Sequence, residues 1–134
     1  MKRQEDVRMT WKLNSERPIY AQIIEKVVMD IISGLYRPGE KLPSVRELAM
    51  DAEVNPNTMQ KALAELERTG LVRSHRTSGR FITEDTDLIM DEKRKIAKKE
   101  IQDFRDKMNA IGLTTEEIVQ LMYEKDTAEE EEEK

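Results

Sequence analysis

The 134-residue chain contains no cysteine and a single histidine. The lack of cysteine excludes disulfides, thiolate zinc sites and cysteine nucleophiles, and one histidine is too few for a histidine-rich metal site. No apolar run approaches the ~20 residues that span a bilayer, and the first ten residues contain no apolar stretch typical of a secretory signal. The sequence therefore predicts a cytoplasmic protein that contacts no membrane, needs no metal or other cofactor and is not an enzyme.

Acidic residues outnumber basic ones, 28 to 23, but they are unevenly distributed. Residues 1–83 contain 14 Lys and Arg against 11 Asp and Glu, whereas residues 84–134 contain 9 against 17. Residues 54–83 contain five basic and two acidic side chains. Such a local excess favours phosphate although the whole chain has a net charge of -5. Charge alone leaves an alternative open, because the surface charge of proteins with no nucleic-acid partner varies by as much.

Helical periodicity predicts a first helix that opens near Pro18 and ends at Gly34. Its apolar positions recur at spacings of three and four: Tyr20, Ile23, Ile24, Val27, Val28, Ile31 and Ile32. Before it, Trp11 and Leu13 alternate with polar neighbours, which favours a short extended arm over residues 10–13.

Two short helices should follow, joined by a tight turn. Ser44 and Glu47 have the spacing of a capping box at the start of the first. Asn55 supplies an N-cap and Pro56 an N1 residue for the next helix, which Gly70 ends. This is the helix-turn-helix arrangement, in which the second helix enters the DNA major groove.

After these helices, residues 71–74 and 80–83 are β-rich and surround a polar turn at 77–79, which predicts a hairpin. His75, Arg76 and Arg80 should lie near its tip, where a wing can reach the DNA backbone or minor groove. A plain surface hairpin with solvated charges is the alternative.

The second half of the chain predicts two more helices. A long one carries an apolar seam at spacings of 4, 3, 4 and 3 and ends at Gly112, and Thr114 with Glu117 forms a capping box for the last. The seam residues are Ala97, Ile101, Phe104, Met108 and Ile111, followed by Ile118, Leu121 and Met122. Two helices cannot build a core, so the seams must pack on the N-terminal domain or on a second copy, and we expect dimerisation. We expect little room there for an effector pocket of ~300 Å³ or more.

The predicted fold is mainly α with a small β-hairpin. Its organisation is a winged helix-turn-helix domain at 10–83, a two-helix C-terminal dimerisation element at 84–125 and a disordered acidic tail at 126–134.

Residues 18–83 resemble the DNA-binding domain of the GntR family. The matching pieces are Pro18-Ile19-Tyr20, Gly34 with Pro38-Gly39, residues 41–49, residues 62–66 and Gly70-Leu71-Val72. Residues 54–58 and the short helical tail resemble the YtrA-type subfamily, which carries a small dimerisation element instead of a large ligand-binding domain. The resemblance implies a sequence-specific transcriptional regulator, a repressor, that binds a pseudo-palindromic operator as a homodimer.

The family pattern places DNA contacts at the start of the second helix, at the start of the third and at the wing tip. The residues implied here are Tyr20, Ser44, Arg46, Asn55, Pro56, Asn57, Thr58, Gln60, Lys61, Arg76, Ser78, Gly79 and Arg80. Arginine can bind phosphate or guanine bidentately, and Asn or Gln can bind adenine. Many relatives have arginine where this chain has Pro56 and Gln60, so adenine is favoured over guanine. Many also have a second wing glycine where this chain has Thr77, which alters how closely the wing backbone approaches the minor groove.

The expected partners are double-stranded operator DNA and a second copy of the chain, with an unidentified small-molecule effector as an open alternative. Two other function classes compete. A winged helix can bind protein or RNA through a solvent-facing third helix. An enzyme could use carboxylates such as Glu100 and Asp103, but no nucleophile accompanies them in the sequence.

Overall fold

The structure is a computed structural model that describes residues 11–125. This range contains α1 (Ile19–Ile32), α2 (Val45–Ala52), α3 (Pro56–Thr69), β1 (Val72–His75), β2 (Gly79–Ile82), α4 (Thr86–Ala110) and α5 (Thr115–Met122). The predicted mainly α fold with one small hairpin is confirmed. The predicted acidic tail, 126–134, and residue 10 of the predicted arm lie outside the described residues. The chain divides into two compact units between Lys93 and Arg94.

The core of the N-terminal unit is built around α3, which contacts α1, α2 and β1. Met59, Leu63 and Leu66 occupy one side of α3 and are fully buried. Apolar residues of the other elements complete this core, among them Ile23, Val27, Ile31, Leu48, Leu71 and Ile82. One face of α3 is therefore fixed inside the unit, and the helix cannot rotate without exposing these side chains.

The turn between α2 and α3 is set by residues with defined local roles. The Ser44 hydroxyl accepts the Glu47 backbone N–H at 3.1 Å and donates to the Glu47 carboxylate, also at 3.1 Å. The carboxylate thus bonds the hydroxyl and not the Ser44 backbone N–H, so only half of the predicted capping box forms. Glu53 ends α2 with a φ of 56°, a left-handed conformation uncommon for a residue with a side chain. The Asn55 side chain accepts the Asn57 N–H at 2.8 Å, and Pro56 is the first residue of α3, as predicted.

The hairpin pairs Val72 with Ile82 and His75 with Gly79, and its turn lies one residue earlier than the predicted one. The other edge of β2 is also paired. Ile82 donates its N–H to the Glu40 carbonyl at 2.8 Å, and the Leu42 N–H donates to the Arg80 carbonyl at 2.9 Å. Because both edges of β2 are bonded, the base of the wing is tied to the loop between α1 and α2.

Residues 11–18 form no paired strand, but Trp11 and Leu13 are half-buried whereas Lys12 and Asn14 are exposed, so the predicted arm turns its apolar side inward. The Gln22 amide nitrogen donates to the carbonyls of Asn14 and Arg17 at 2.8 and 2.9 Å, and its oxygen accepts the Asn14 N–H at 3.0 Å. These hydrogen bonds satisfy the buried Gln22 amide and fix the segment on α1. Arg17 also binds Glu25 at 2.7 Å, and this hydrogen bond holds the Glu25 pKa below its ordinary value.

The C-terminal unit is a helical hairpin formed by residues 94–110 of α4 and by α5. The chain turns at Gly112, where φ is 97°, as predicted. Thr114 and Glu117 form the complete predicted capping box at the start of α5. The Arg105 guanidinium donates to the Thr115 hydroxyl at 3.3 Å and joins the two helices.

Within this hairpin, Ile118 is only 4% exposed, whereas Ile101 is 57% exposed and Met122 63% exposed. These residues, with Phe104 and Val119, line an open apolar groove of about 550 Å³. The expectation that the helical tail has little room for a pocket of ~300 Å³ is wrong, because the flanks of the two helices leave this groove open. The groove is within the size range of small-molecule sites, although its walls are almost entirely apolar.

Candidate nucleic-acid interface

The outward face of α3 is polar and exposed. Asn57, Gln60 and Lys61 are exposed on the side away from the buried Met59 and Leu63. Further along the helix, Ala64 is also exposed. Because its side chain is only a methyl group, another surface can approach the helix backbone closely at this point. The core therefore determines which α3 side chains are available to a partner.

The first turn of α3 combines a capped end with free polar groups. Pro56 and Asn57 are exposed and Thr58 is half-buried. Asn55 is exposed too, but its side-chain oxygen is bonded to the Asn57 N–H, as the sequence suggested for a capping residue. Its amide nitrogen is the group left to donate to a base or phosphate. Pro56 has no N–H and the Asn57 N–H is bonded to Asn55, so the helix dipole is the main attraction for an anion at this end.

The start of α2 brings Ser44 and Arg46 to the surface. Both residues are exposed, and Ser44 is already bonded to Glu47. Arg46 is the second residue of α2 and has the donor geometry for phosphate or a guanine edge.

Lys61 is held beside α1 by an aromatic ring. Its Nζ lies 4.3 Å from the ring centroid of Tyr20, which is half-buried on α1. The cation–π contact restricts a long side chain that would otherwise sample many rotamers. Tyr20 thus lies beside the proposed contact face and supports one of its basic side chains.

The wing separates the predicted residues into two groups. Arg76, Ser78 and Gly79 are exposed at the turn, where the Ser78 N–H bonds the His75 carbonyl at 3.2 Å. Arg80 instead points back to α3, and its Nε lies 2.5 Å from the Glu67 carboxylate. The structure therefore brings Arg76 and Ser78 to the tip but places Arg80 between the wing and α3.

Three residues at this surface were not among the predicted ones: Lys41, Glu67 and Arg68. Arg68 follows Asn57, Lys61 and Ala64 at spacings of eleven, seven and four, so helical periodicity alone could have found it. Lys41 crosses the wing, with its Cε 3.3 Å from where a Cβ on Gly79 would lie, and no local pattern indicates this contact. Glu67 likewise needs a partner 13 residues away in sequence.

The charges of α3 are arranged so that both of its carboxylates are paired. Glu67 binds Arg80, and Glu65 lies 3.4 Å from Arg68. With both acids paired, Lys41, Arg46 and Lys61 are exposed cations near α3 whose charge can attract phosphate. An exposed polar second helix beside a basic hairpin defines the winged helix-turn-helix class of DNA-binding regulators.

Comparison with known proteins identifies the family. Residues 19–82 match the bacterial regulatory proteins of the gntR family. The HTH-type transcriptional regulator YhcF of Bacillus subtilis (strain 168) is 38% identical over 109 residues, which are 81% of this chain and 90% of YhcF. The HTH-type transcriptional repressor YtrA of the same strain is 48% identical over 71 residues, which are 53% of this chain and 55% of YtrA. A solved GntR family transcriptional regulator from Listeria monocytogenes has 38% identity and a TM-score of 0.79, and the match covers 85% of this chain and 100% of that one.

The chain belongs to the GntR family, in its YtrA-type subfamily, as the sequence motifs predicted. It is a DNA-binding transcriptional regulator and not an enzyme. Among the described residues, no helix is both long and apolar enough to cross a membrane.

Proposed function

We propose that this protein is a sequence-specific repressor that binds a pseudo-palindromic operator as a homodimer in the cytoplasm. The observation that carries the proposal is the orientation of α3. Its apolar side is fixed by the fully buried Met59, Leu63 and Leu66, so Asn57, Gln60 and Lys61 must face outward. A helix held in this way can present the same donors and acceptors to the major groove at every encounter.

The proposed contacts come from four places. The set is Tyr20 of α1, Ser44 and Arg46 at α2, Asn55, Pro56, Asn57, Thr58, Gln60 and Lys61 at α3, and Arg76, Ser78, Gly79 and Arg80 of the wing. We assign base reading to Arg46, Asn57 and Gln60, and backbone contacts to Lys61 and the wing. Gln60 in the first turns of α3 favours adenine.

The proposed dimer forms through the C-terminal element at 84–125, with the DNA-binding domain at 10–83. The exposed seam supports it, because Ile101 and Met122 leave apolar surface in water that a second copy would cover. The proposed interface set is Ala97, Ile101, Phe104, Met108, Ile111, Ile118, Leu121 and Met122. Ile118 is buried within its own hairpin, so its part is to support the seam. A small-molecule effector in the apolar groove would compete with the second copy, because both would cover Ile101 and Met122.

Repression is the proposed outcome of operator binding. YtrA of Bacillus subtilis, to which 71 residues of this chain are 48% identical, is named a transcriptional repressor. A bound dimer that covers a promoter would block polymerase without needing a separate activating surface. Transcription from the operator-bearing promoter should therefore rise when the protein is removed.

Selection of bound sequences from a random duplex pool tests this function. We expect two inverted copies of one half-site, separated by about one helical turn or a multiple of it. A single unrepeated half-site would contradict the dimer, and the absence of any preference over random duplex would favour a protein-binding or RNA-binding winged helix instead.

Alanine variants then test the contact map on the selected duplex. Arg46→Ala and Gln60→Ala should each weaken binding by about 1 to 3 kcal/mol and relax the sequence preference at one base pair. Arg37→Ala removes one positive charge from an exposed position outside the proposed contacts, so it measures the effect of charge alone. Equal affinities for Arg46→Ala, Gln60→Ala and Arg37→Ala would remove the proposed base readers.

A further inference from the structure

One ion pair joins α3 to the wing. The Arg80 Nε lies 2.5 Å from the Glu67 carboxylate, and the Arg80 side chain is 19% exposed. The other ion pair of α3 is much looser, because Arg68 is 80% exposed and lies 3.4 Å from Glu65. Arg80 is therefore the wing cation whose position is best defined.

Glu67 lies on the contact side of α3. It follows Gln60 by seven residues, two helical turns, so the two side chains project from the same side of the helix. An unpaired carboxylate there would repel the phosphates of a bound duplex. The positive charge of Arg80 offsets that of the Glu67 carboxylate, so Glu67 can lie on the contact side without repelling phosphate.

The pair also fixes how Arg80 is presented. A guanidinium is planar, so a bond at Nε sets the direction of its two terminal nitrogens. A restrained donor meets a phosphate only when the duplex is seated in one position, whereas a mobile cation can follow the backbone of any sequence.

We propose that Glu67 is a positioning residue that restrains Arg80 and thereby raises the preference of the protein for its operator over other DNA. This inference rests on the proposed contact of α3 and the wing with the duplex. Glu67 itself touches no base or phosphate and acts through Arg80.

The backbone of the wing does not depend on this pair. β2 is bonded on one edge to β1 and on the other to Glu40 and Leu42. Loss of the Glu67 carboxylate should therefore release the Arg80 side chain while the hairpin stays in place. The effect on DNA binding can then be measured on a folded protein.

The test is Glu67→Gln, measured by fluorescence anisotropy on the selected operator duplex and on a scrambled duplex of equal length. Release of Arg80 adds about one phosphate contact on any sequence, so binding to the scrambled duplex should tighten about threefold, and the slope of log K against log salt should steepen by about 0.9. Operator binding should not tighten, so the ratio of the two affinities should fall about threefold.

Two matched variants isolate the cause. Glu65→Gln removes the same charge from the same helix and should lower the ratio less. Arg80→Lys keeps the wing charge but lacks the planar fork, so it should lower the ratio as Glu67→Gln does. A ratio in Glu67→Gln equal to that of the wild type or of Glu65→Gln would overturn the proposal, as would an unchanged ratio in Arg80→Lys. Wild-type protein without operator preference would instead refute the proposed function.

Discussion

The two units of the chain differ in how far their apolar residues are buried. In the N-terminal unit, Leu63 and Met59 are fully buried among side chains from α1, α2 and the wing. In the C-terminal unit, Leu121 is 53% exposed and Ile101 57% exposed, although both lie on seams with a clear helical period. The same sequence signal, apolar residues at spacings of three and four, thus leads to a core in one unit and to an uncovered surface in the other.

The number of elements explains the difference. Three helices and a hairpin can enclose a set of side chains, whereas two helices touch along one line and leave their flanks in water. Ile118 lies on that line and is buried, and its neighbours Val119 and Met122 are exposed. The first unit encloses its apolar residues, and the second leaves several of its own exposed.

The largest expected effect comes from placing a charge on the uncovered seam. Ile101→Glu should convert the proposed dimer to a monomer and weaken binding to a two-half-site operator about 100-fold or more, because the second half-site is no longer tethered. Affinity for an isolated half-site should stay the same. Sedimentation and DNA titration measure both effects.

The matched control for this variant is Gln102→Glu, which adds the same charge at the next residue, on another side of α4. It should leave both the mass and the operator affinity close to those of the wild type. A dimeric Ile101→Glu protein would show that the seam is not the interface.

A smaller effect, on the free energy of unfolding, is expected when a leucine is replaced by alanine in either unit. Leu63→Ala leaves a cavity in a closed core and should lower the free energy of unfolding by about 2 to 5 kcal/mol. Leu121→Ala removes a side chain that only a partner would cover, so its cost should grow with protein concentration as the dimer becomes populated. Thermal unfolding over a hundredfold range of concentration measures both. An equally large, concentration-independent cost for Leu121→Ala would mean that the hairpin buries its seam by itself.

Sequence reasoning worked where the deciding contacts are local. Asn55, Gly70 and Thr114 marked helix ends through bonds that span three residues or fewer, and those ends are where the structure has them. The outward face of α3 followed from the positions of its buried residues in one helical period. Both residues of each capping bond lie within three positions of one another, so a local pattern was enough to predict it.

It failed where the partner lies far along the chain. Arg80 lies near the wing tip as predicted, but its bond to Glu67, 13 residues earlier, was not predicted. The bonds of Gln22 to Asn14 were also missed, because they join residues eight positions apart. The groove depends on how far apart α4 and α5 lie, which no spacing within either helix specifies.

The smallest expected effect concerns the contact between Lys61 and Tyr20 in the N-terminal unit. Tyr20→Leu keeps apolar bulk on α1 but removes the ring face below the Lys61 Nζ, 4.3 Å away. The contact restrains Lys61 before the duplex arrives; without it, ordering this side chain on binding costs about 0.5 to 1.5 kcal/mol, so operator binding should weaken about threefold. Tyr20→Phe keeps the ring and should bind like the wild type. If Tyr20→Phe weakens binding as much as Tyr20→Leu, the hydroxyl contacts the duplex directly and the ring does not act through Lys61.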